Sequence, residues 1–350
     1  MTKHSSRATI KTAILGASGY TGAELLRLLE HHPQFHVAAL TGDSQAGKAV
    51  GEIYPHLAHR DLPRLVKLEE LDTSALDLIF CCLPHGTTQP IIAALPDSVS
   101  IVDLSADFRL HDPAQYEEWY GHPHQATSLQ ETAVYGLTEW GREKISAARL
   151  VANPGCYPTC SLLPLLPLVT AKLIDPQNIT INALSGISGA GRSVKQEMLF
   201  TELEGGVSAY GIGRHRHTAE IEQELSGAAG TAVEVSFTPH LIPVTRGMLA
   251  TIQVTLVKGA SLTDLQEAIN TRYHEEAFVR LVKNAPSTHA VKGTNRCHIS
   301  VHPGRRAGEA ILVSVIDNLG KGASGQALQN ANLMLGLPEM TGLVATAVFP

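Results

Sequence analysis

The spacing of apolar residues along the first half of the chain predicts strands that alternate with helices. Short strands are predicted at IKTAIL (10–15) and FHVAAL (35–40), and ALDLIFCCL (75–83) is a continuous apolar run of the kind buried in a parallel sheet. Helical spacing follows at AELLRLLEHH (23–32) and TTQPIIAAL (87–95). SVSIVDLSADFR (98–109) adds a further strand, whereas 111–149 has weak periodicity and predicts loops and short helices. The pattern indicates an α/β domain with a parallel sheet.

The second half of the chain has a different pattern. Strands are predicted in VEVSFTPHLIPV (233–244), GMLATIQVTLV (247–257), CHISVH (297–302) and EAILVSVIDNL (309–319), and a helix in SLTDLQEAINTRYHEEA (261–277). These runs favour an α+β domain with a mixed or antiparallel sheet. An amphipathic helix at the end of the chain follows a glycine-rich turn and is of the kind that returns to a first domain. We therefore predict a first domain at 1–152, a second domain at 153–318, and a C-terminal helix at 319–350 that returns to the first domain.

Composition excludes several classes of function. A chain of 350 residues is long enough for two domains, and its net charge of −6 argues against nucleic acid or an anionic membrane as the main partner. No apolar run reaches the ~18 residues of a membrane span, and the first residues lack the apolar core of a signal peptide. Five cysteines, an odd number, indicate reduced thiols. We expect a cytoplasmic protein.

A glycine-rich loop connects the first strand to the first helix. In GASGYTG, Gly16 makes the turn, Gly19 allows the backbone to approach a pyrophosphate, and Gly22 allows close packing. The spacing is G-x-x-G-x-x-G, and glycine turns of this kind also join strands to helices for structural reasons alone. The predicted cofactor contacts are Gly16, Ala17, Ser18, Gly19, Tyr20, Thr21 and Gly22.

The end of the second strand bears on the choice of cofactor. Asp43 is compatible with NAD, because an acidic residue here binds the ribose 2′-hydroxyl. Ser44 and Lys48 are suited to a 2′-phosphate, so NADP is the preferred prediction.

Other loops at strand ends carry further candidates. Pro84 and His85 follow the third long strand and could line the nicotinamide pocket, although an ordinary loop histidine fits the sequence equally well. Arg109 is a candidate anion clamp, or else a structural partner of Asp107. The remaining cofactor candidates are Ser188 and Gly189 in SGISGAGR, and Asn318 at the start of the last glycine-rich turn.

The segment VANPGCYPT (151–159) carries the candidate nucleophile. Asn153, Pro154 and Gly155 end an apolar run, and the residues from Tyr157 onward have the pattern of a helix start. Cys156 therefore falls at a helix N-terminus, where the backbone N–H groups and the helix dipole favour a thiolate and can also receive an oxyanion. A buried structural cysteine is the alternative. Pro164 and Pro167, further along, should kink or end this helix.

A histidine pair supplies the candidate base. His215 and His217 lie in GRHRHTAEIEQE, where a helix begins after His217. An imidazole can take and return a proton near neutral pH, as an activated thiol requires. We assign His217 as the acid/base, and Arg109, Asn153, His215 and Arg246 as substrate contacts, while the roles of the two histidines could be exchanged. No further ligands with metal-binding spacing accompany the pair, so no metal is expected.

Seven motifs together resemble those of the N-acetyl-γ-glutamyl-phosphate reductase family of arginine biosynthesis: GASGYTGAELL, DLSADFR, NPGCYPT, SGISGAGR, HRHTAEI, FTPHLIPVTRG and NLGKGASGQALQNAN. They occur in order from about residue 10 to residue 338. The resemblance implies a fold like that of aspartate-semialdehyde and glyceraldehyde-3-phosphate dehydrogenases. The domain at 1–152 would then be a Rossmann-type NADP-binding domain, and the domain at 153–318 an inserted catalytic, substrate and oligomerisation domain. It also implies Cys156 as nucleophile, His217 as acid/base, the GASGYTG loop as the NADPH site, and a homodimer or homotetramer.

The expected reaction is reduction of N-acetyl-glutamyl 5-phosphate to the 5-semialdehyde through a thioester on Cys156. Three alternatives remain open at this point. The same chemistry could act on another acyl phosphate, such as an acetyl-aminoadipyl or aspartyl phosphate. Cys156 and His217 could form a cofactor-free hydrolase, which leaves the glycine loop unexplained. The protein could also be a non-catalytic dinucleotide sensor.

Overall fold

A computed structural model describes residues 9–349, so residues 1–8 of the first predicted domain and residue 350 of the last lie outside the described residues. The strands β1 to β14 are Ile10–Leu15, Phe35–Thr41, Leu65–Val66, Leu78–Cys81, Ser100–Asp103, Val134–Tyr135, Leu150–Ala152, Ile174–Gly186, Ser208–Ala209, Val235–Ile242, Met248–Leu256, Val279–Leu281, Cys297–Pro303 and Glu309–Ile316. The helices α1 to α11 are Tyr20–Leu29, Val50–Ile53, Thr88–Ala93, Pro113–Tyr120, Thr127–Gln130, Thr138–Ser146, Cys156–Thr170, Phe200–Leu203, His217–Ala229, Leu262–Tyr273 and Gly325–Met334. Among residues 9–349, none of the helices combines the length and apolar character that a membrane span requires.

Backbone contacts group the described residues into two compact units. The first contains the residues up to Arg109 together with His124–Asn153 and Gln326–Leu343. The second contains Leu110–Pro123, Pro154–Gly325 and the residues from Val344 onward. Leu110–Pro123, which the sequence analysis assigned to the first domain, belongs to the second unit because the fully buried Tyr116 packs there against Ala219.

The first unit is built on a seven-stranded sheet in the order β3-β2-β1-β4-β5-β7-β6. Every strand pair in it is parallel. The central strands are buried on both faces, with Ile79, Cys81 and Ile101 fully inaccessible. The predicted α/β fold with a parallel dinucleotide-binding sheet is therefore confirmed.

The second unit contains another seven-stranded sheet, in the order β12-β13-β14-β11-β8-β10-β9. Strand β11 pairs antiparallel with β8 and β14, whereas β8 pairs with β10 in parallel. The predicted mixed sheet is confirmed, and it supports helix α7.

The expectation that Pro164 or Pro167 could end the helix after Cys156 is wrong, while a kink at these residues stays a prediction. Helix α7 continues through both prolines to Thr170, and its residues from Tyr157 to Val169 are buried. Pro167 has no N–H to donate to the carbonyl of Leu163, but the hydroxyl of Tyr273 on α10 donates to that carbonyl at 2.7 Å. A neighbouring helix thus supplies a donor that the proline lacks.

Candidate active site

The glycine loop of the first unit has the geometry of an anion-binding turn. Gly16 adopts a φ of +76°, and its N–H donates to Thr41 Oγ1 at 3.1 Å, which ties the loop to the end of β2. A Cβ at Gly22 would lie 2.6 Å from Ala17 Cα, so only glycine permits this packing. Helix α1 begins at Tyr20, and Gly19 precedes it without a capping side chain. The first N–H groups of α1 can therefore face a phosphate.

The other cofactor candidates of this unit follow strands that neighbour β1. Ser44 and Lys48 are exposed just after β2, where Lys48 Nζ donates to Gln45 Oε1 at 2.9 Å. Pro84 and His85 are exposed after β4. Because β2, β1 and β4 are adjacent parallel strands, their carboxyl ends meet at one edge of the sheet. The structure brings these candidates and the glycine loop to that edge.

A buried carboxylate holds the loop that carries His85. Asp107 Oδ1 accepts the Gly86 N–H at 2.6 Å, and its Oδ2 accepts the N–H and the hydroxyl of Thr88. Nearby, burial raises the pKa of Asp103 to about 6, opposed by hydrogen bonds from Ser105. The sequence analysis did not identify this network of side chains, although DLSAD contains three of its members.

Arg109 and Asn153 are both buried in the first unit. The guanidinium of Arg109 donates to the carbonyl of Asn153 at 2.8 Å and to that of Leu104 at 3.0 Å. The Asn153 side chain accepts from Asn330 Nδ2 at 3.1 Å. These contacts fix the end of β7 immediately before Pro154, and they favour a supporting role for both residues. Their predicted contacts with substrate stay predictions.

In the second unit, Cys156 is the first residue of the 15-residue helix α7. It is partly exposed, unlike Cys81, Cys160 and Cys297, which are buried. The free N–H groups and the positive dipole end of a helix start favour a negatively charged sulfur and a nearby oxyanion. Burial raises the pKa of the Cys160 thiol one turn later, so that sulfur stays protonated. The position of Cys156 is thus the one a nucleophile requires.

The two histidines lie close together and have different environments. Their ring centroids are 4.9 Å apart, and both rings contact Tyr157. His217 is the first residue of α9, and its N–H donates to Nδ1 of His215 at 3.1 Å. Burial, with a smaller effect from the charge of Arg216, lowers the pKa of His215 to about 4. His215 is therefore neutral at neutral pH and acts as a hydrogen-bond acceptor at the start of α9.

Gly155, directly before Cys156, contacts two side chains of α9. A Cβ built on it would lie 2.8 Å from both Cδ2 and Cε1 of His217, so the imidazole packs against the bare Cα. Its N–H donates to Oε1 of Glu220 at 2.8 Å. Glu220 was not identified by the sequence analysis. Its spacing of three residues from His217 on a helix was the available signal.

Two tyrosines lie near the cysteine turn, the segment 153–157 that leads into helix α7. Tyr210 donates its hydroxyl hydrogen to the Tyr157 oxygen at 3.1 Å, and Tyr157 donates to the carbonyl of His240 at 3.3 Å. Burial raises the pKa of Tyr157, and it raises the pKa of Tyr210 to about 12. Both hydroxyls are therefore protonated near neutral pH.

Arg246 is oriented by a fully buried carboxylate. Its Nε and Nη2 donate to the two oxygens of Asp317 at 3.0 and 2.9 Å. Asp317 also accepts the N–H groups of Leu319 and Gly320, at the start of a π-helical segment, Gly320–Ser324. A Cβ on Gly322 in that segment would lie 2.8 Å from Cys156 Cβ. Arg246 is thus connected through Asp317 and this short segment to Cys156.

The remaining cofactor candidates lie close together in the second unit: Ser188, Gly189 and Asn318. Asn318 Nδ2 donates to Ser188 Oγ at 2.9 Å, and Asn318 Oδ1 accepts the Gly247 N–H at 2.8 Å. Gly189 lies beside them, since a Cβ there would be 3.7 Å from Asn318 Nδ2. The structure gives Asn318 a bridging position between two loops, while its contact with a cofactor stays a prediction.

Comparison with known proteins supports this division of the chain. Residues 11–148 match the family described as semialdehyde dehydrogenase, NAD binding domain. Residues 156–318 match the family described as semialdehyde dehydrogenase, dimerisation domain. A protein of Rhodospirillum rubrum named N-acetyl-gamma-glutamyl-phosphate reductase is 53% identical over 348 residues, which covers 97% of this chain and 99% of that protein.

The chain belongs to the N-acetyl-γ-glutamyl-phosphate reductase family. A second relative, named as the probable chloroplastic reductase of Arabidopsis thaliana, is 56% identical over 97% of this chain and 86% of its own length. Solved structures add the fold. An aspartate semialdehyde dehydrogenase of Vibrio cholerae aligns with a TM-score of 0.71, and one from Candida albicans, solved with NADP, with 0.69. Each is 17% identical and covers 94% of this chain and 99% of its own.

Proposed function

We infer that this protein catalyses the NADPH-dependent reduction of N-acetyl-L-glutamyl 5-phosphate to N-acetyl-L-glutamate 5-semialdehyde and phosphate, in arginine biosynthesis. Family membership supports the substrate and the direction of the reaction. The observation that carries the chemistry is the cysteine turn. Cys156 begins helix α7, and the imidazole of His217 packs against the glycine that precedes it.

The residues of the first unit fit a dinucleotide. The start of α1 has no capping side chain, which leaves backbone N–H groups for the pyrophosphate, and the close packing of Gly22 on Ala17 holds the loop in place. Ser44 and Lys48, exposed after β2, are suited to the 2′-phosphate of NADP. NADPH, when bound, supplies the hydride that reduces the thioester carbon. Pro84, His85, Ser188, Gly189 and Asn318 are the further contacts that we assign to it.

Cys156 forms and releases the covalent intermediate. Its thiolate attacks the acyl carbon, the C–S bond forms, and the bond from that carbon to the phosphate oxygen breaks, which leaves a thioester and inorganic phosphate. The N–H groups at the start of α7 stabilise the negative oxygen of each tetrahedral species. After reduction, the thiohemiacetal collapses to the aldehyde and the thiolate returns. A thiolate suits both steps because it attacks an acyl carbon and leaves again readily.

His217 is the residue that we assign to proton transfer at the substrate oxygen. It protonates the oxygen when the hydride adds and removes that proton when the thiohemiacetal collapses. The low pKa of His215 and its acceptor role toward the His217 N–H support this division of roles, because a histidine with such a pKa is a poor proton donor at neutral pH. The sequence alone left the two roles open.

Arg246 is the best-supported contact for the substrate carboxylate or phosphate. Asp317 orients its guanidinium, which remains 18% exposed. We further propose a small-molecule substrate site in a homodimer or homotetramer, consistent with the dimerisation-domain match at 156–318, and a location in the cytoplasm.

The deciding experiment measures NADPH formation in the reverse direction from the semialdehyde, phosphate and NADP. Cys156→Ala should lose at least ~3 orders of magnitude in turnover, because the covalent intermediate cannot form. Cys297→Ala, which removes a buried sulfur on β13, is the matched control and should retain activity. Full activity in Cys156→Ala would refute the mechanism, and hydrolysis of the acyl phosphate without NADPH would identify a hydrolase instead.

A further inference from the structure

Two side chains of helix α9 contact Gly155, the residue directly before Cys156. His217 packs on the Gly155 Cα, and Glu220, three residues later and on the same side of the helix, accepts the Gly155 N–H at 2.8 Å. We propose that Glu220 is a positioning residue that sets the distance between the Cys156 thiolate and the His217 imidazole. The proposal rests on the roles assigned to those two residues above.

The environment of this hydrogen bond makes it hard to replace. Gly155 is buried and precedes the first residue of α7, so its N–H lies outside the hydrogen-bond ladder of that helix. Glu220 is 1% exposed, which keeps water from competing for the N–H. A hydrogen bond between an N–H and a buried carboxylate is among the stronger ones in proteins. This hydrogen bond therefore fixes the position of Gly155 along the axis of α9.

The position of this contact in the chain explains why it would affect catalysis rather than stability alone. Gly155 is covalently attached to Cys156, and Glu220 lies one helical turn from His217. A shift of the Gly155 N–H relative to the carboxylate moves the sulfur relative to the imidazole by a similar amount. The substrate oxygen that exchanges a proton with His217 is held through the Cys156 sulfur. This oxygen and the imidazole nitrogen must lie within about 2.6–3.2 Å of each other, so even a small shift lowers the rate.

Two conservative substitutions distinguish the effect of the length of the Glu220 side chain from the effect of its charge. Glu220→Gln keeps the length of the side chain and an acceptor oxygen but removes the charge. Glu220→Asp keeps the charge but shortens the side chain by one methylene group, so the carboxylate no longer reaches the Gly155 N–H. Positioning predicts that the glutamine variant functions and the aspartate variant does not.

Glu222 provides a matched control on the same helix. Its Oε1 accepts the N–H of Val235, at the start of β10, at 3.0 Å, so it makes the same kind of hydrogen bond in another place. Because Glu222 is only partly buried, Glu222→Gln and Glu222→Asp should change thermal stability no more than the Glu220 variants do. They should leave turnover unchanged.

The readouts are kcat and KM for the reductase reaction and, independently, the rate of alkylation of Cys156 by iodoacetamide as a function of pH. We expect Glu220→Asp to lower kcat by about 10- to 100-fold with little change in KM, as for a misplaced catalytic group. Its alkylation profile should also differ from that of wild type. Glu220→Gln should stay within about 5-fold of wild type, because a neutral acceptor retains roughly half of the interaction.

Three results would overturn the proposal. The first is wild-type turnover and alkylation in Glu220→Asp. The second is equal losses of turnover in the aspartate variants of Glu220 and Glu222, which would indicate a general effect on folding. The third is a Glu220→Gln variant as impaired as Glu220→Asp, since charge would then be the essential property. If wild type has no reductase activity but the alkylation profiles differ as expected, the proposed function fails and the positioning role stands.

Discussion

The substitution Gly155→Ala tests whether the imidazole of His217 must occupy the place that the structure gives it. The backbone of Gly155 has a φ of −67° and a ψ of 157°, which alanine adopts without strain. The added Cβ would lie closest to Nε2 of His217 and 2.8 Å from Cδ2 and Cε1, whereas ordinary contact begins at 3.4 Å. The ring must therefore retreat by about 1 Å.

This displacement should affect activity far more than stability. A catalytic group misplaced by about 1 Å can cost ~10²-fold in rate, so we expect kcat to fall by about that factor. The folding cost is small, because a side chain that leaves its preferred rotamer costs about 0.5–1.5 kcal/mol and replacing glycine by alanine returns about 0.4–1 kcal/mol. The melting temperature should change little.

The assay compares kcat, KM and melting temperature for wild type, Gly155→Ala and the control Gly227→Ala. Gly227 lies in the same helix as His217, and a Cβ added there meets nothing within 4 Å. The control should keep full turnover and gain slightly in stability, since alanine favours a helix over glycine. Full turnover in Gly155→Ala would refute the assignment of His217 as acid/base.

Two further predictions concern buried charge. Asp317→Asn should destabilise the protein by about 3–5 kcal/mol in chemical denaturation, because it leaves Arg246 without its buried counter-charge. Glu309→Gln, which breaks the exposed pair with Arg306, should cost less than about 1 kcal/mol, and equal costs for the two variants would contradict this reasoning. Since the folded pKa of His215 is about 4, below the unfolded value of 6.5, the unfolded state binds a proton first as the pH falls. The free energy of unfolding of wild type minus that of His215→Asn should therefore be largest above about pH 6.5 and should fall by about 2–3 kcal/mol toward pH 4. A constant difference across that range would refute this prediction.

Much of the fold, and the position of Cys156 at a helix start, could be predicted from local sequence. The glycine turn after β1 and the helix start at Cys156 depend on glycine and proline, whose backbone preferences act within a few residues. The alternation of apolar strands with helices indicated the parallel sheet, because apolar periodicity is also a local property of the sequence. The helix after Cys156 shows where such reasoning fails. Proline rules describe an isolated helix, but the Tyr273 hydroxyl, 110 residues from Leu163, supplies a donor that Pro167 lacks.

The sequence by itself determined which groups are candidates for the reaction, a cysteine at a helix N-terminus and a histidine pair before another helix, because each is encoded by a short stretch. Only the tertiary structure decided how those groups are held. Glu220 meets Gly155 across 65 residues, and Arg246 meets Asp317 across 71. Such contacts depend on how whole helices and strands pack, and no local preference encodes that packing.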